Sequence, residues 1–194
     1  MGTVILVFSF LIALTVHEFA HAWTANFLGD PTAKIRGRIS MNPLVHLDIF
    51  GTIMIFLAGF GWGKPVPVNP QNLRFPRRDT LLIALAGPLA NFLTAIIFAS
   101  FSKVATGMSA SMLGAVAHIN IILMAFNMIP VPPLDGADIV EYFLNPVQKV
   151  KFREIGAPIL FGVIVFESIF HISIIWRVWG PIVDLISAIV FFGA

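Results

Sequence analysis

The chain has 194 residues, of which 58% are hydrophobic and only 11% charged, and its mean hydropathy is +0.91. A soluble domain of this length does not need so much apolar surface, so the composition excludes an ordinary soluble protein and predicts a multi-pass membrane protein. The net charge of +2, with basic residues beside apolar runs, argues against nucleic-acid binding, and the absence of cysteine excludes disulfides, thiolate metal ligands and a cysteine nucleophile.

The first predicted span covers residues 3–28 and contains the sequence His17-Glu18-Phe19-Ala20-His21. On a helix, His17 and His21 are one turn apart on one face, so both rings can bind one zinc ion, while Glu18 lies where it can take a proton from water at the metal. The alternative is two buried histidines that hydrogen-bond to neighbouring helices. Ionisable groups inside a membrane segment usually mark function, which favours the metal site.

An apolar segment at residues 49–60 is too short to be read simply as a spanning helix. A re-entrant or interfacial segment and a full crossing therefore both remain open. The proline-rich stretch that follows, from Trp62 to Pro70, is predicted to be extended, with β pairing as one option. Its edge could pair with an unwound peptide, and the alternative is a plain connecting loop.

Further spans are predicted at residues 80–101 and 111–129, followed by an amphipathic interfacial helix or loop at 137–152. Two apolar stretches, at 155–171 and 174–192, form either two spans or one bent hairpin. The predicted fold is all-α, with about five to six transmembrane segments and the short extended element between the first two long spans. We expect one membrane-embedded domain over residues 1–194, with a core at about 3–140 and C-terminal helices at about 155–192.

The basic residues predict an orientation. If the first span runs inward and residues 49–60 return to the side they left, ten of the twelve basic residues face the cytoplasm, as the positive-inside rule prefers. These ten are Lys34, Arg36, Arg38, Lys64, Arg74, Arg77, Arg78, Lys149, Lys151 and Arg153. The cytoplasmic half of the first span then lies level with the end of the span at 111–129.

A catalytic zinc ion takes three protein ligands and leaves one position open, so a third ligand is needed beside the two histidines. Asp135 is the best candidate because it follows a helix end broken by three prolines, and irregular backbone at membrane depth is tolerated only around a cavity. The alternative is an ordinary helix-capping aspartate. Among the other acids, Asp138 and Glu141 are expected to be solvated. Glu167 and Asp184 are expected to pair with Arg177 or to line a helix contact.

Two motifs carry a resemblance to a known family. The stretch His17 to His21 matches His-Glu-x-x-His, and Asn127-Met128-Ile129-Pro130-Val131-Pro132-Pro133-Leu134-Asp135-Gly136 matches Asn-x-x-Pro-x-x-x-Asp-Gly. Together they resemble the site-2 proteases, the intramembrane zinc metalloproteases of peptidase family M50. The pieces at 42–43, 63–69 and 87–91 are similar to the compact prokaryotic branch, so the resemblance covers most of residues 10–140.

The resemblance implies a zinc endopeptidase that cuts in or near transmembrane segments of membrane-protein substrates, within the bilayer and toward its cytoplasmic side. It implies that His17, His21 and Asp135 bind one Zn²⁺ per chain, that Glu18 activates the water, and that Asn127 lies near the metal. An amide on the last turn of its helix could stabilise an oxyanion, or it could instead make an interhelical hydrogen bond. The chain departs from larger members of that family, because we expect no helix before the first span and no room for an appended PDZ or CBS domain.

The remaining polar candidates are weaker. Asn91 is a candidate for substrate contact or packing, His46 for an auxiliary or merely interfacial group, and His118 and His171 are expected to be structural. The competing functions are a zinc-binding membrane transporter or sensor, since intramembrane His and Asp can form an ion pathway, and a catalytically silent scaffold.

Overall fold

The computed structural model describes residues 2–58 and 61–193, and these ranges contain helices but no strands. Residues 59 and 60, the end of the predicted short segment, lie outside the described residues. Short 3-10 turns at Pro43–Val45 and Pro70–Asn72 precede the third and fourth helices. The α-helices are α1 (Gly2–Phe27), α2 (Thr32–Ile35), α3 (Ile49–Ala58), α4 (Pro76–Val104), α5 (Gly107–Asn127), α6 (Gly136–Phe143), α7 (Pro146–Phe170) and α8 (Ile174–Gly193).

Four helices in the described ranges are long and apolar enough to cross a membrane: α1, α4, α5 and residues Ile174–Phe192 of α8. The prediction of an all-α multi-pass membrane protein is confirmed, whereas the finer count of five to six spans is not. At 1.5 Å per residue, the ten residues of α3 extend for about 15 Å, half the hydrocarbon thickness. The predicted span at 155–171 is the end of the longer helix α7, and its apolar part is short and contains Glu167.

Small side chains allow the spanning helices to pack closely. Alanines from α4 and α5 form a buried cluster with two valines of α8, and α1 packs against both α4 and α5. The indole N–H of Trp179 also donates to the Ala125 carbonyl, which attaches α8 to α5. Gly156 of α7 lies close to Pro132, since an added Cβ would lie 2.5 Å from that ring, and Arg153 of the same helix contacts Glu141.

The proline-rich connection between α3 and α4 forms neither helix nor strand over residues 61–69, and the backbone of Asn69 is extended. The predicted re-entrant element is not confirmed. We call residues 63–69 the extended segment. Gly63 forms an isolated antiparallel bridge with Leu47, and the Lys64 N–H donates to the His46 carbonyl at 2.8 Å. Each residue of the segment is exposed or half-buried, so its backbone lies at a surface.

Asp30 attaches the far end of the extended segment to the turn after α1. This buried carboxylate accepts hydrogen bonds from the Asn69 N–H at 2.7 Å, the Asn72 amide at 2.8 Å and the Thr32 N–H at 3.1 Å. Burial raises the pKa of Asp30, but the hydrogen bonds from Asn72, Thr32 and Asn69 outweigh it and hold the pKa below its usual value.

We expect Asp30→Asn to lower the thermal stability of the protein in detergent. An asparagine amide would place a donor against backbone donors and leave buried groups unpaired, at a cost of about 1–3 kcal/mol. Because the folded pKa is depressed, the carboxylate contributes stability above its unfolded pKa and loses it as pH falls through the folded pKa. The melting temperature of the metal-free protein should therefore decrease less in Asp30→Asn than in wild type when the pH is lowered. Glu154→Gln, an exposed site, is the control, and equal acid dependence in all three proteins would contradict the account.

Candidate metal centre

The three predicted ligands converge at the interface of α1, α4 and α6. His17 and His21 are 3% and 7% exposed, so their rings lie inside the helix bundle. The two Nε2 atoms are 3.0 Å apart, and Asp135 Oδ2 lies 3.1 Å from that of His17 and 3.3 Å from that of His21. These side chains can offer three ligand atoms to one ion.

Outer hydrogen bonds set the tautomer of both histidines. His21 Nδ1 lies 2.7 Å from the Ile83 carbonyl, and His17 Nδ1 lies 2.6 Å from Asn91 Oδ1. A carbonyl only accepts, so each Nδ1 carries the hydrogen and each Nε2 keeps a lone pair that points toward Asp135. The Asn91 amide nitrogen donates to the Ala13 carbonyl and to Asn120 Oδ1, which leaves its oxygen for His17.

Asp135 does not behave as an ordinary helix cap. It precedes α6, but its side chain makes no capping hydrogen bond to the described backbone of that helix. Its Oδ2 atom is buried and accepts no well-directed hydrogen bond from the described residues, although two histidines lie beside it. Gly136 permits the tight turn that places Asp135, since a Cβ there would lie 2.4 Å from the Met128 carbonyl oxygen.

These features fit a small divalent cation. Two imidazole nitrogens and one carboxylate oxygen form a common ligand set of catalytic zinc sites, and all three donors have a lone pair free. The space is narrow, because a Cβ at Gly87 would lie 2.3 Å from His21 Nε2 and 2.7 Å from His17 Cε1. The residues therefore fit Zn²⁺, and Glu18 directly follows the ligand His17 on the same helix.

The remaining candidates have different surroundings from those expected. Asn127 donates its amide to the Leu123 carbonyl at 3.0 Å, within its own helix. His46 is fully buried rather than interfacial, and its Nε2 lies 2.8 Å from the Ser40 carbonyl. His118 and His171 are exposed, and His171 ends α7 in a left-handed conformation.

One expectation about the acids needs correction. Glu141 is buried, with its oxygens 2.6 and 2.9 Å from Arg153 Nε and Nη2, rather than solvated. Glu167 accepts a hydrogen bond from the Ile175 N–H at the α7–α8 turn. Burial and the neighbouring Glu141 raise the pKa of Asp138 to about 6, despite the opposing charge of Arg153. These pairings arise from tertiary packing, which the local sequence pattern does not report.

We expect Asn91→Leu to weaken zinc binding about 10- to 100-fold, since the side chain orients His17 and fixes its tautomer. Competition with a chromophoric chelator measures the affinity directly. Thr94→Val, on the same helix, removes a hydroxyl that bonds only to the Ala90 carbonyl among the described residues and should leave zinc affinity unchanged. Equal affinity in Asn91→Leu and wild type would show that this hydrogen bond does not orient the ligand.

Two buried histidines and an adjacent glutamate lie on the membrane-spanning helix α1, and Asp135 reaches the histidines from the connection between α5 and α6, so the set forms a candidate zinc site of the kind that intramembrane metalloproteases use. Comparison with known proteins leads to the same class of protein. The model of peptidase family M50 matches residues 99–167, a range that includes Asp135 but not the histidine motif. YwhC of Bacillus subtilis, named as a zinc metalloprotease, is 38% identical over an alignment of 176 positions, which covers 85% of this chain and 79% of YwhC. The chain therefore belongs to peptidase family M50.

Other relatives carry similar names. Rip2 of Mycolicibacterium smegmatis, also named as a zinc metalloprotease, is 30% identical over an alignment of 155 positions, which covers 75% of this chain and 60% of Rip2. MJ0611 of Methanocaldococcus jannaschii, with the same designation, is 39% identical over 102 residues, or 50% of this chain and 51% of its own length. The chain thus spans well under two thirds of these two relatives. No solved structure matches it.

Proposed function

We propose that this protein is a zinc endopeptidase that cleaves peptide bonds in or near transmembrane segments of other membrane proteins. The observation that carries the proposal is the convergence of Asp135 with His17 and His21, two histidines that lie with Glu18 in a helix fit to span a bilayer. Membership of peptidase family M50 supports hydrolysis over the alternative of a zinc transporter or sensor.

The reaction is peptide hydrolysis. Bound Zn²⁺ would supply a Lewis acid that polarises the scissile carbonyl and makes water more acidic. Glu18 accepts a proton as water attacks the carbonyl carbon, and it donates that proton to the departing amine nitrogen as the C–N bond breaks. Asn127 is the proposed hydrogen-bond donor to the oxyanion. To reach it, the Asn127 amide breaks its hydrogen bond to the Leu123 carbonyl and forms one to the substrate oxygen.

A transmembrane substrate must unwind before it can react, because an α-helix keeps its carbonyls in hydrogen bonds one turn apart. The extended segment offers an edge with which an unwound peptide could pair. Helix-breaking residues near the scissile bond should therefore favour cleavage.

We place the site toward the cytoplasm. His21 is six residues before Phe27, the last residue of α1, so it lies about 9 Å from that helix end at 1.5 Å per residue. The basic residues Arg74, Arg77 and Arg78 lie just before or in the first turn of α4, which is at the same end of the bundle. The positive-inside rule supports a cytoplasmic location for this end.

The proposal is tested by comparing wild type with Glu18→Gln in detergent, on a panel of single-span substrates, with bound zinc measured in both. We expect zinc in both proteins and cleavage by wild type alone, because glutamine keeps the shape of glutamate but cannot accept the proton. Cleavage at an unchanged rate by Glu18→Gln would refute the role of Glu18. Zinc transport into proteoliposomes by both proteins, without cleavage, would favour the transporter.

A further inference from the structure

One buried positive charge lies beside the candidate metal centre and has no part in the mechanism above. Arg38 follows α2 and is only 4% exposed. Its Nη1 donates to the Pro65 carbonyl at 3.0 Å, its Nη2 donates to the Lys64 carbonyl, and Nη2 lies 3.7 Å from Glu18 Oε2. A single guanidinium thus contacts both the extended segment and the proposed base.

The chemistry of this position requires arginine. A buried cation is costly unless charged or polar acceptors surround it, and here two backbone carbonyls and one carboxylate do so. The rigid fork of a guanidinium can serve all three acceptors at once, whereas a lysine ammonium is a point charge that cannot span them in the same geometry. The Arg38 Nε is buried without a hydrogen-bond partner among the described residues. The polar side-chain contacts described for Arg38 therefore go to the extended segment and to Glu18.

The backbone around Arg38 is itself fixed. Its N–H donates to the Ala33 carbonyl at 2.9 Å, and Gly37 turns the chain with φ of +66°. At the other end of the extended segment, Asp30 binds the Asn69 N–H. Charged side chains from the region between α1 and α3 therefore attach the segment at both ends, and only the Arg38 end also contacts Glu18.

We infer that Arg38 is a positioning residue that fixes the extended segment relative to Glu18, and so sets which bond of a paired peptide reaches the base. This inference rests on the proposed function, because it assigns a substrate-aligning role to the segment. A displacement of about 1 Å between reacting groups can cost about 100-fold in rate. Loss of the guanidinium should accordingly raise KM and lower kcat together.

The test uses the absence of cysteine from the natural chain. A nitroxide label at Lys64→Cys reports the Arg38 end of the segment, and one at Gln71→Cys, also exposed, reports the Asp30 end. We compare wild-type, Arg38→Lys and Arg38→Met backgrounds by electron paramagnetic resonance in detergent. We expect Arg38→Met to increase label mobility at position 64 but not at 71, with a smaller increase in Arg38→Lys.

The same proteins without labels give the kinetic measurement. We expect Arg38→Met to keep its zinc and to have a kcat/KM about 10- to 100-fold below wild type, because KM rises and kcat falls. In Arg38→Lys the decrease in kcat/KM should be smaller. A merely structural role predicts instead a loss of kcat/KM that follows the folded fraction, with KM unchanged. That result, or unchanged label mobility at position 64, would overturn the inference.

The two proposals can fail separately. If wild type cleaves no substrate, the proposed function fails, while the labels still decide whether Arg38 holds the segment. If Arg38→Met does not fold, Arg38→Lys and Arg38→Gln supply the mobility and kinetic comparison. Wild-type mobility and kinetic constants in those variants would overturn the inference in the same way.

Discussion

Gly87→Ala is expected to abolish zinc binding and cleavage. The added methyl group would lie 2.3 Å from His21 Nε2 and within 2.7 Å of His17 Cε1, closer than atoms can approach. Either both imidazoles leave the metal position or α4 moves away from α1, and each change separates the ligands. Alanine is a better helix former than glycine by about 1 kcal/mol, so helix propensity would change stability in the opposite direction.

Gly114→Ala provides the control for this prediction. Gly114 is also inside a spanning helix, but an added Cβ there meets no described atom within 4 Å. Zinc content by atomic emission and cleavage of a single-span substrate should match wild type in Gly114→Ala and be lost in Gly87→Ala. Full zinc occupancy in Gly87→Ala would contradict the close approach of α4 to the ligands.

Asp135→Ala is expected to reduce bound zinc to a small fraction of the wild-type value and to remove activity. The change deletes one of three ligands and leaves a pair of histidines, which hold a catalytic zinc poorly without a third donor. Purified protein, dialysed against a weak chelator, is assayed for metal and for proteolysis.

Asp138→Asn is the matched control for Asp135→Ala, one turn along the same segment. Its carboxylate contacts Arg153 at 3.3 Å rather than the histidines, so zinc should stay bound. Burial and the neighbouring Glu141 raise the pKa of Asp138 to about 6, so the neutral carboxyl group that asparagine resembles is populated in mildly acidic solution. Loss of zinc in Asp138→Asn, with retention in Asp135→Ala, would reverse the assignment of the third ligand.

Local patterns in the sequence predict that His17, His21 and Asp135 meet, and the structure brings them together, whereas metal binding there stays a prediction. The spacing of His17 and His21 by one helical turn predicts a shared face, and the structure brings their Nε2 atoms to within 3.0 Å. Asp135 was predicted from broken helix geometry at membrane depth, and the structure gives it no capping bond to the described backbone of α6. The spacing of the two histidines and the prolines before Asp135 are local properties of the chain, so they can be read from the sequence.

Partners distant in the chain were not predictable in the same way. Asn91 was a candidate for substrate contact or packing, but its partner His17 lies 74 residues away on another helix. The burial of Arg38 depends on carbonyls of Lys64 and Pro65, and backbone carbonyls carry no sequence signal. A polar residue inside an apolar run, such as Asn120, is the signal that could have indicated the amide network.

The start of α7 differs from the prediction because its apolar residues begin later in the chain than its capping residues. The apolar pattern starts the seventh helix near residue 155, whereas α7 begins at Pro146. Asn145 and Gln148 form a reciprocal capping box at that point, with proline at the first helical position, and these polar residues start the helix before its apolar part. Capping residues therefore give the better boundary here.

The most direct test of the account is to identify the bond that is cut. A single-span substrate and the protein are reconstituted together in liposomes in H₂¹⁸O, and the products are analysed by intact mass. We predict a new carboxyl terminus inside the transmembrane segment, nearer its cytoplasmic end, that carries one ¹⁸O atom and is absent with Glu18→Gln. Products cut only outside the membrane segment, or equal products with Glu18→Gln, would contradict an intramembrane hydrolase that uses Glu18.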